Sequence, residues 1–138
     1  MKTTTRVLAL FVTAAVLGGC TKSVPPPKRA KVSGKVTLDN KPLPSGTITF
    51  DAANGEAPGS LSILDGSYEG MAPVGKTKVM ITSFRKMSMK EKMGFDGPGY
   101  DQQVDENILP ARYSTDSKIE KEVTEAGPNE FNFNLQAK

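Results

Sequence analysis

Residues 31–50 read KVSGKVTLDNKPLPSGTITF, and the spacing of apolar residues within them indicates the fold class. In the first half of this stretch, small or apolar residues alternate with polar ones, which is the period of a half-buried strand. These residues are Val32, Gly34, Val36 and Leu38. Residues 40–46 contain the glycine and prolines of a turn, and the alternation then resumes with Ile48 and Phe50 on one face. The stretch therefore predicts two consecutive strands joined by a turn.

The rest of the chain repeats this two-residue period in short runs. Further strands are predicted at residues 61–63, 67–69, 77–84, 112–114, 119–124 and 130–136. Asp65-Gly66 joins two of them as a type I′ hairpin turn, because glycine takes the positive φ that this turn needs. Residues 85–109 break the period and are predicted as one long loop, with one or two helical turns at 87–93. With about seven short strands separated by turns, the pattern is that of an all-β fold, a seven-stranded antiparallel β-sandwich with one long loop.

The first 19 residues have the layout of a secretory signal peptide. Lys2 and Arg6 form a short positive region, and residues 7–17 form an apolar run of about eleven residues. A membrane-spanning helix needs about 20 apolar residues, so this run is too short to be a permanent anchor. We therefore expect residues 1–19 to be removed.

The four residues Leu17-Gly18-Gly19-Cys20 resemble the lipobox of bacterial lipoproteins. The resemblance implies that Leu17, Gly18 and Gly19 are recognised by the lipoprotein signal peptidase. It also implies that the Cys20 thiol carries diacylglycerol and that the new amine is acylated. Two or three acyl chains hold a protein stably on a membrane, whereas one does so only marginally. Thr21, which is not an aspartate, favours the outer membrane by resemblance to Gram-negative sorting rules.

The segment after the lipobox is predicted to be a spacer. Residues 20–30 hold the lipidated cysteine and a stretch with three consecutive prolines, which favours an extended polyproline II tether. Residues 31–138 would then form the single domain. Of 18 basic side chains, 16 are left once Lys2 and Arg6 are removed, against 15 acidic ones. This near-neutral balance gives no electrostatic basis for nucleic-acid binding.

Several segments together resemble carboxypeptidase regulatory-like, or transthyretin-like, domains. Residues 34–50 resemble the first two strands of that family, residues 65–68 its hairpin, and residues 73–81 its next turn and strand. Residues 109–113 and 127–135 resemble the end of small exported lipoproteins of planctomycete bacteria. The resemblance implies a seven-stranded sandwich of the transthyretin (prealbumin) type. It does not imply hydrolysis, because this domain is the non-catalytic accessory of the carboxypeptidases.

Residues 70–77, GMAPVGKT, match the letters of a phosphate-binding loop. That loop must open a helix, whose N-terminus holds the phosphates. Here Thr77 is followed by β-branched residues that favour a strand. We therefore expect a turn and a strand, and no nucleotide.

The sequence offers little material for catalysis. It contains no histidine, which excludes histidine-based triads and zinc–histidine sites, and its one thiol is predicted to carry lipid. Thioethers are soft ligands for Cu(I), so Met87, Met89 and Met93 are candidate copper ligands. The alternative is that these methionines fill the open end of the core. We expect no enzyme activity and no cofactor.

Two functions are consistent with these features. The first is a membrane-anchored lipoprotein of the cell envelope, a non-catalytic interaction or structural module that contacts an envelope protein or polysaccharide. The 85–109 loop would carry the contact, with Tyr100, which follows Gly97 and Gly99, as a candidate contact residue. The alternative is an exported ligand- or copper-binding protein that uses the methionines of this loop.

Overall fold

A computed structural model describes residues 26–137. The predicted signal peptide, Cys20 with its recognition residues Leu17, Gly18 and Gly19, and most of the tether lie outside these residues.

The described residues are predominantly β. The short helix α1 spans Met89–Met93, and a single 3-10 turn spans Ala111–Tyr113. The strands are β1 (Arg29–Leu38), β2 (Lys41–Pro42), β3 (Ser45–Asp51), β4 (Gly59–Leu64), β5 (Ser67–Pro73), β6 (Gly75–Thr82), β7 (Phe84–Ser88), β8 (Gln103–Asn107), β9 (Ile119–Val123) and β10 (Phe133–Leu135).

The strands form one large curled sheet and one small sheet. The large sheet has the order β10-β1-β5-β4-β3-β6-β9, with β2 added beside β1, and the small sheet is the pair β7-β8. Neighbouring strands are antiparallel, except that β10 runs parallel to β1. The strands β4 and β5 share a single register pair, Leu64 with Ser67, so the sheet turns a corner there. The all-β, sandwich-like fold predicted from the sequence is confirmed.

The core lies inside this curl and draws on both parts of the sheet. The Phe50 ring of β3 lies 6.0 Å from the Tyr68 ring of β5 and 6.2 Å from the Phe131 ring, centre to centre. The alternation in the sequence is the cause, because it directs every second side chain of each strand inward. The fully buried aliphatic side chains include Val32, Val36, Leu43, Ile48, Ile63, Val79, Ile81, Val123 and Leu135.

The Asp65–Gly66 turn is the type I′ hairpin that the sequence predicts. Asp65 has φ 48° and Gly66 has φ 74°, and the turn joins β4 to β5. A Cβ on Gly66 would lie 2.7 Å from the Pro42 Cβ, so this position also needs glycine for space.

The segment that matches a phosphate-loop pattern consists of the end of β5, a bend at Val74 and the start of β6. Residues 70–73 end β5 and Gly75 begins β6, so no helix follows the glycine-lysine-threonine triplet. The buried Thr77 hydroxyl donates to the Lys121 carbonyl oxygen at 2.9 Å, and Lys76 pairs with Glu120 at 2.6 Å. The predicted turn and strand are confirmed.

The structure differs from the prediction in three segments. The segment predicted as one long loop holds the hairpin β7-α1-β8. The strand predicted at 112–114 is instead a 3-10 turn, in which the Tyr113 N–H donates to the Pro110 carbonyl at 3.0 Å. The strand β1 begins inside the predicted tether, because Arg29 already pairs with Pro73.

The strand directions define two ends of the molecule. At one end, which we call the tether pole, lie the start of β1, the end of β5 and the start of β6. At the opposite end, which we call the hairpin pole, lie the end of β1, the start of β3 and the end of β6. The eight residues of β6 run from one pole to the other, which corresponds to about 26 Å. Within residues 26–137 no helix is both long and apolar enough to cross a membrane.

Candidate functional site

The candidate site is the hairpin formed by β7, α1 and β8, which we call the cap (residues 84–107). Its two ends are held together at the hairpin pole. The Ser83 N–H donates to the Asn107 Oδ1 atom at 3.1 Å, and the Ile108 N–H donates to the Ser83 carbonyl at 2.8 Å. The buried Ser83 hydroxyl donates to the Ser45 carbonyl at 2.7 Å. The cap therefore leaves and re-enters the sheet at one point beside β3 and β6.

The tip of the cap is organised by backbone hydrogen bonds. The Ser88 hydroxyl caps α1 by accepting from the Glu91 N–H at 3.1 Å. The helix is joined to the returning chain where the Met89 N–H donates to the Gln102 carbonyl at 3.0 Å. A second such bond runs from the Lys90 N–H to the Tyr100 carbonyl at 2.8 Å. Short polar segments that would otherwise lack a fixed shape are thus held against each other.

An open, mostly apolar pocket of about 330 Å³ lies at this tip. It is lined by Met89, Met93, Phe95, Pro98, Gly99, Tyr100 and Gln102. Phe95 is 67% exposed and Met93 is 51% exposed, and Phe84 at the base of the cap is 59% exposed. Large apolar side chains that cluster in the open are typical of contact surfaces. Aromatic and thioether groups suit such a surface, because both adapt to varied partners.

Tyr100, predicted as a contact residue, lines this pocket. A Cβ on Gly97 would lie 3.2 Å from the Tyr100 Cδ2 atom, so the glycine allows the ring to lie against the backbone. Gly99 lines the same pocket. The structure therefore brings together the three residues that the sequence suggested.

The three candidate copper ligands are distributed differently. Met89 and Met93 line the pocket, four residues apart on the chain. Met87 does not line it and is only 8% exposed. Among residues 26–137, no group of three or more histidine, cysteine, aspartate or glutamate side chains is placed to hold a metal ion.

The charges on the cap are arranged in exposed ion pairs. They are Arg85–Glu91 (3.4 Å), Lys86–Asp105 (3.3 Å), Lys90–Asp96 (2.6 Å) and Lys92–Glu106. Each contributes at most about 1 kcal/mol at such exposure, so they orient the cap more than they stabilise it. The cap carries four basic and five acidic side chains. Within the described part of the chain, Asp101 is the acidic residue of the cap without an ion-pair partner.

A second concave surface, which the sequence did not indicate, lies at the same pole. It is an open pocket of about 370 Å³ lined by Asp39, Asn40, Asn134, Gln136 and Ala137, which we call the amide pocket. Its two halves come from the β1–β2 turn and the last strand, about 95 residues apart. The period-two pattern predicted both elements, but not that β10 would pair with β1 and bring them together.

Comparisons with known proteins add little to this geometry. No family model matches the chain, and no curated protein does so either. A DUF3823 family protein from Parabacteroides merdae, which is also β-rich, has 15% identity and a TM-score of 0.35. The alignment covers 80% of this chain and 46% of that one, so the chain spans about half of that protein's length. A 9R-lipoxygenase from Cyanothece has 13% identity and a TM-score of 0.34 over 79% of this chain and 16% of its own. The function is therefore argued from the residues of this chain.

Proposed function

We propose that the protein is a lipid-anchored, non-catalytic module of the bacterial cell envelope, which binds a partner protein through its cap. The anchor is the acylated Cys20, and the outer membrane is the proposed location. The proposal includes a carboxypeptidase regulatory-like, transthyretin-like identity for the sandwich, which rests on the sequence resemblance of residues 34–50, 65–68 and 73–81.

The observation that carries this proposal is the position of the cap relative to the tether. The chain enters the sandwich at the tether pole, where the Lys28 carbonyl accepts a hydrogen bond from the Val74 N–H at 2.9 Å. The cap begins at Phe84, two residues after β6 ends at the opposite pole. A domain held by its first residues would therefore present Phe84, Met93 and Phe95 away from its own attachment point.

The chemistry of the cap indicates the kind of partner. The pocket is apolar and of a size to take one or two side chains, while the surrounding charges include the unpaired Asp101. Four basic against five acidic groups give no attraction to anionic lipid. The occupant we propose is an exposed peptide segment of an envelope protein, with an apolar side chain next to a basic one.

The anchor is tested by replacing Cys20 with serine. The wild-type protein should begin at residue 20 and carry acyl mass, and it should fractionate with membranes. The Cys20→Ser protein should lack acyl mass and stay uncleaved by the lipoprotein peptidase. A wild-type protein with an unmodified first residue in the mass spectrum would remove the anchor from the proposal.

The cap is tested with a photo-crosslinking amino acid at position 95 in living cells. Position 64 is the matched control, because Leu64 is equally exposed at 67% but lies on β4 outside the cap. We expect one partner to be captured from position 95 alone. A peptide from the captured region should bind the purified domain, and Met93→Ser with Phe95→Ser should weaken binding more than tenfold. Equal capture from both positions, or unchanged affinity of this variant, would refute the cap as the contact.

Copper binding is the second candidate, because Met89 and Met93 line one pocket. Anaerobic titration with Cu(I) against a competing chelator tests it. A tight site that is lost in the Met89→Leu, Met93→Leu variant would establish this function. No competition with the chelator would dismiss it, while the peptide experiment stands independently.

A further inference from the structure

We propose that the amide pocket is a binding site for a neutral saccharide. The observation that supports it is one open pocket with a carboxylate and three side-chain amides on its rim. Hydrogen bonds hold the backbone that carries these groups. The proposal does not depend on the cap or on the lipid anchor.

The turn that forms one side of the amide pocket is rigidly held. Asp39 and Asn40 both have positive φ, 49° and 64°, as a tight turn between β1 and β2 requires. The Asp39 N–H donates to the Leu135 carbonyl at 2.9 Å, and the Asp39 Oδ1 atom accepts from the Ala137 N–H at 3.2 Å. The turn and the last strand therefore form one unit.

On the other side, hydrogen bonds fix the Asn134 amide and the backbone of Gln136. The Asn134 Nδ2 atom donates to the Asn40 Oδ1 atom at 3.2 Å, and the Asn134 Oδ1 atom accepts from the Thr37 hydroxyl at 3.1 Å. The Gln136 backbone is bonded on both sides. Its N–H donates to the Tyr113 hydroxyl at 3.0 Å, and its carbonyl accepts from an Arg112 guanidinium nitrogen at 2.8 Å.

Three polar groups of this array have no hydrogen-bond partner among residues 26–137. They are the Asp39 Oδ2 atom, the Asn40 Nδ2 group and the Gln136 side-chain amide. Together they offer both donors and acceptors on a backbone that is already ordered. Binding then costs less conformational entropy than it would on a mobile loop.

The composition of the pocket selects the ligand class. Among residues 26–137, the lining includes the Asp39 carboxylate and no lysine or arginine, so the lining itself does not favour an anion. A single carboxylate is too few oxygen ligands of high charge for a calcium site. Amide side chains without an aromatic or branched apolar group do not favour an apolar ligand. Each sugar hydroxyl group can both donate and accept a hydrogen bond. It can therefore pair with the carboxylate acceptor and with the amide donors of this pocket.

The test is a heteronuclear NMR titration of the domain with neutral oligosaccharides, namely maltotetraose, cellotetraose and the tetramer of N-acetylglucosamine. At least one should give saturable shifts of the backbone amides at 39–40 and 134–137, with the cap unaffected. Inorganic phosphate at the same concentration should not shift these signals.

Two variants make the result specific. Gln136→Ala should weaken binding roughly fivefold, as expected for one lost hydrogen bond to a neutral group. Combined with Asn40→Gly, which keeps the positive φ of the turn, it should abolish the shifts. Gln103→Ala, an exposed amide on β8, is the control and should bind as the wild type does. The proposal is overturned if none of the three sugars shifts these signals, if phosphate does, or if the double variant still binds.

Discussion

The Asn129 side chain makes four hydrogen bonds, although the residue lies in the loop before β10. The residue is buried, and its Oδ1 atom accepts from the Thr124 N–H at 2.8 Å and the Thr124 hydroxyl at 3.1 Å. Its Nδ2 group donates to the carbonyls of Lys31 at 3.1 Å and Thr124 at 2.8 Å. One amide therefore connects the end of β9 to β1 across the tether pole.

We expect Asn129→Ala to lower the free energy of unfolding by about 3 kcal/mol, because it leaves several buried backbone groups without partners. Urea denaturation measures this. The control is Asn132→Ala, since the exposed Asn132 makes one hydrogen bond, to the Lys35 N–H at 2.8 Å. It should cost less than about 1 kcal/mol. Equal losses in the two variants would contradict the bridging role.

Tyr68 is expected to make the free energy of unfolding fall at alkaline pH. Burial, and to a lesser degree the negative charge of Glu130, raise the pKa of this hydroxyl well above its usual range. In the unfolded chain the group ionises near pH 10. The hydroxyl therefore contributes fully to the free energy of unfolding below about pH 10. This contribution is lost as the pH rises further, because the unfolded state then releases a proton that the folded state retains.

The measurement compares the wild type with Tyr68→Phe at pH 8 and pH 11. The variant loses the hydrogen bond to the Phe131 carbonyl (2.8 Å) and should be the less stable protein at pH 8. At pH 11 its disadvantage should shrink by about 1 kcal/mol. The pKa of the Tyr113 hydroxyl shifts in the opposite direction, because its hydrogen bond with Arg112 lowers it. A constant difference between the two proteins would show that Tyr68 ionises while folded.

Among the turns, Gly66 and Gly55 allow two reasons for a glycine to be compared, namely a positive φ and a lack of space for a Cβ atom. Gly66→Ala should cost more than 2 kcal/mol, because the new methyl group meets both a positive φ and the Pro42 Cβ at 2.7 Å. Gly55 also has a positive φ, 86°, but nothing lies within 4 Å of a Cβ there. Gly55→Ala should therefore cost only about 1 kcal/mol. Thermal unfolding of both proteins gives the comparison, and equal losses would mean that space is irrelevant at Gly66.

The sequence predicted the elements whose strands have one buried face. In β3 and β6 every second side chain is buried, so the two-residue period is visible in the letters. The strands β7 and β8 are solvated over most of their surface, and Met87 is their only buried residue. Their sequence therefore shows no alternation, and it predicts a loop where the structure has a hairpin. The 3-10 turn at 111–113 was missed because Arg112 and Tyr113 alone resemble a strand.

The candidate site was predictable in part for the same reason. Tyr100, Gly97 and Gly99 stood out locally, and they do lie together at the cap. The amide pocket and the Asn129 bridge depend on pairs of residues more than 90 positions apart. Periodicity carries no information about which strands become neighbours, so neither could be read from the chain.

For the whole molecule, the cap should be separable from the sandwich. The main cluster of buried hydrophobic residues contains no residue of 84–107. Replacing residues 86–105 with Asn-Gly should therefore change the free energy of unfolding of the sandwich by less than about 1 kcal/mol, and the same protein should not bind the partner peptide. Urea denaturation and peptide titration provide the two measurements. A variant that fails to fold would show that the cap is part of the core.

One of the strands that pair with β1 is β10, which comes last among the described strands. Val36 pairs with Phe133, and Leu38 pairs with Leu135. The last residues of β1 therefore pair with a strand almost 100 positions later in the sequence, and such non-local pairing forms slowly because a long loop must close first. For a protein exported as we propose, this late pairing would delay completion of the sheet while the chain is in transit.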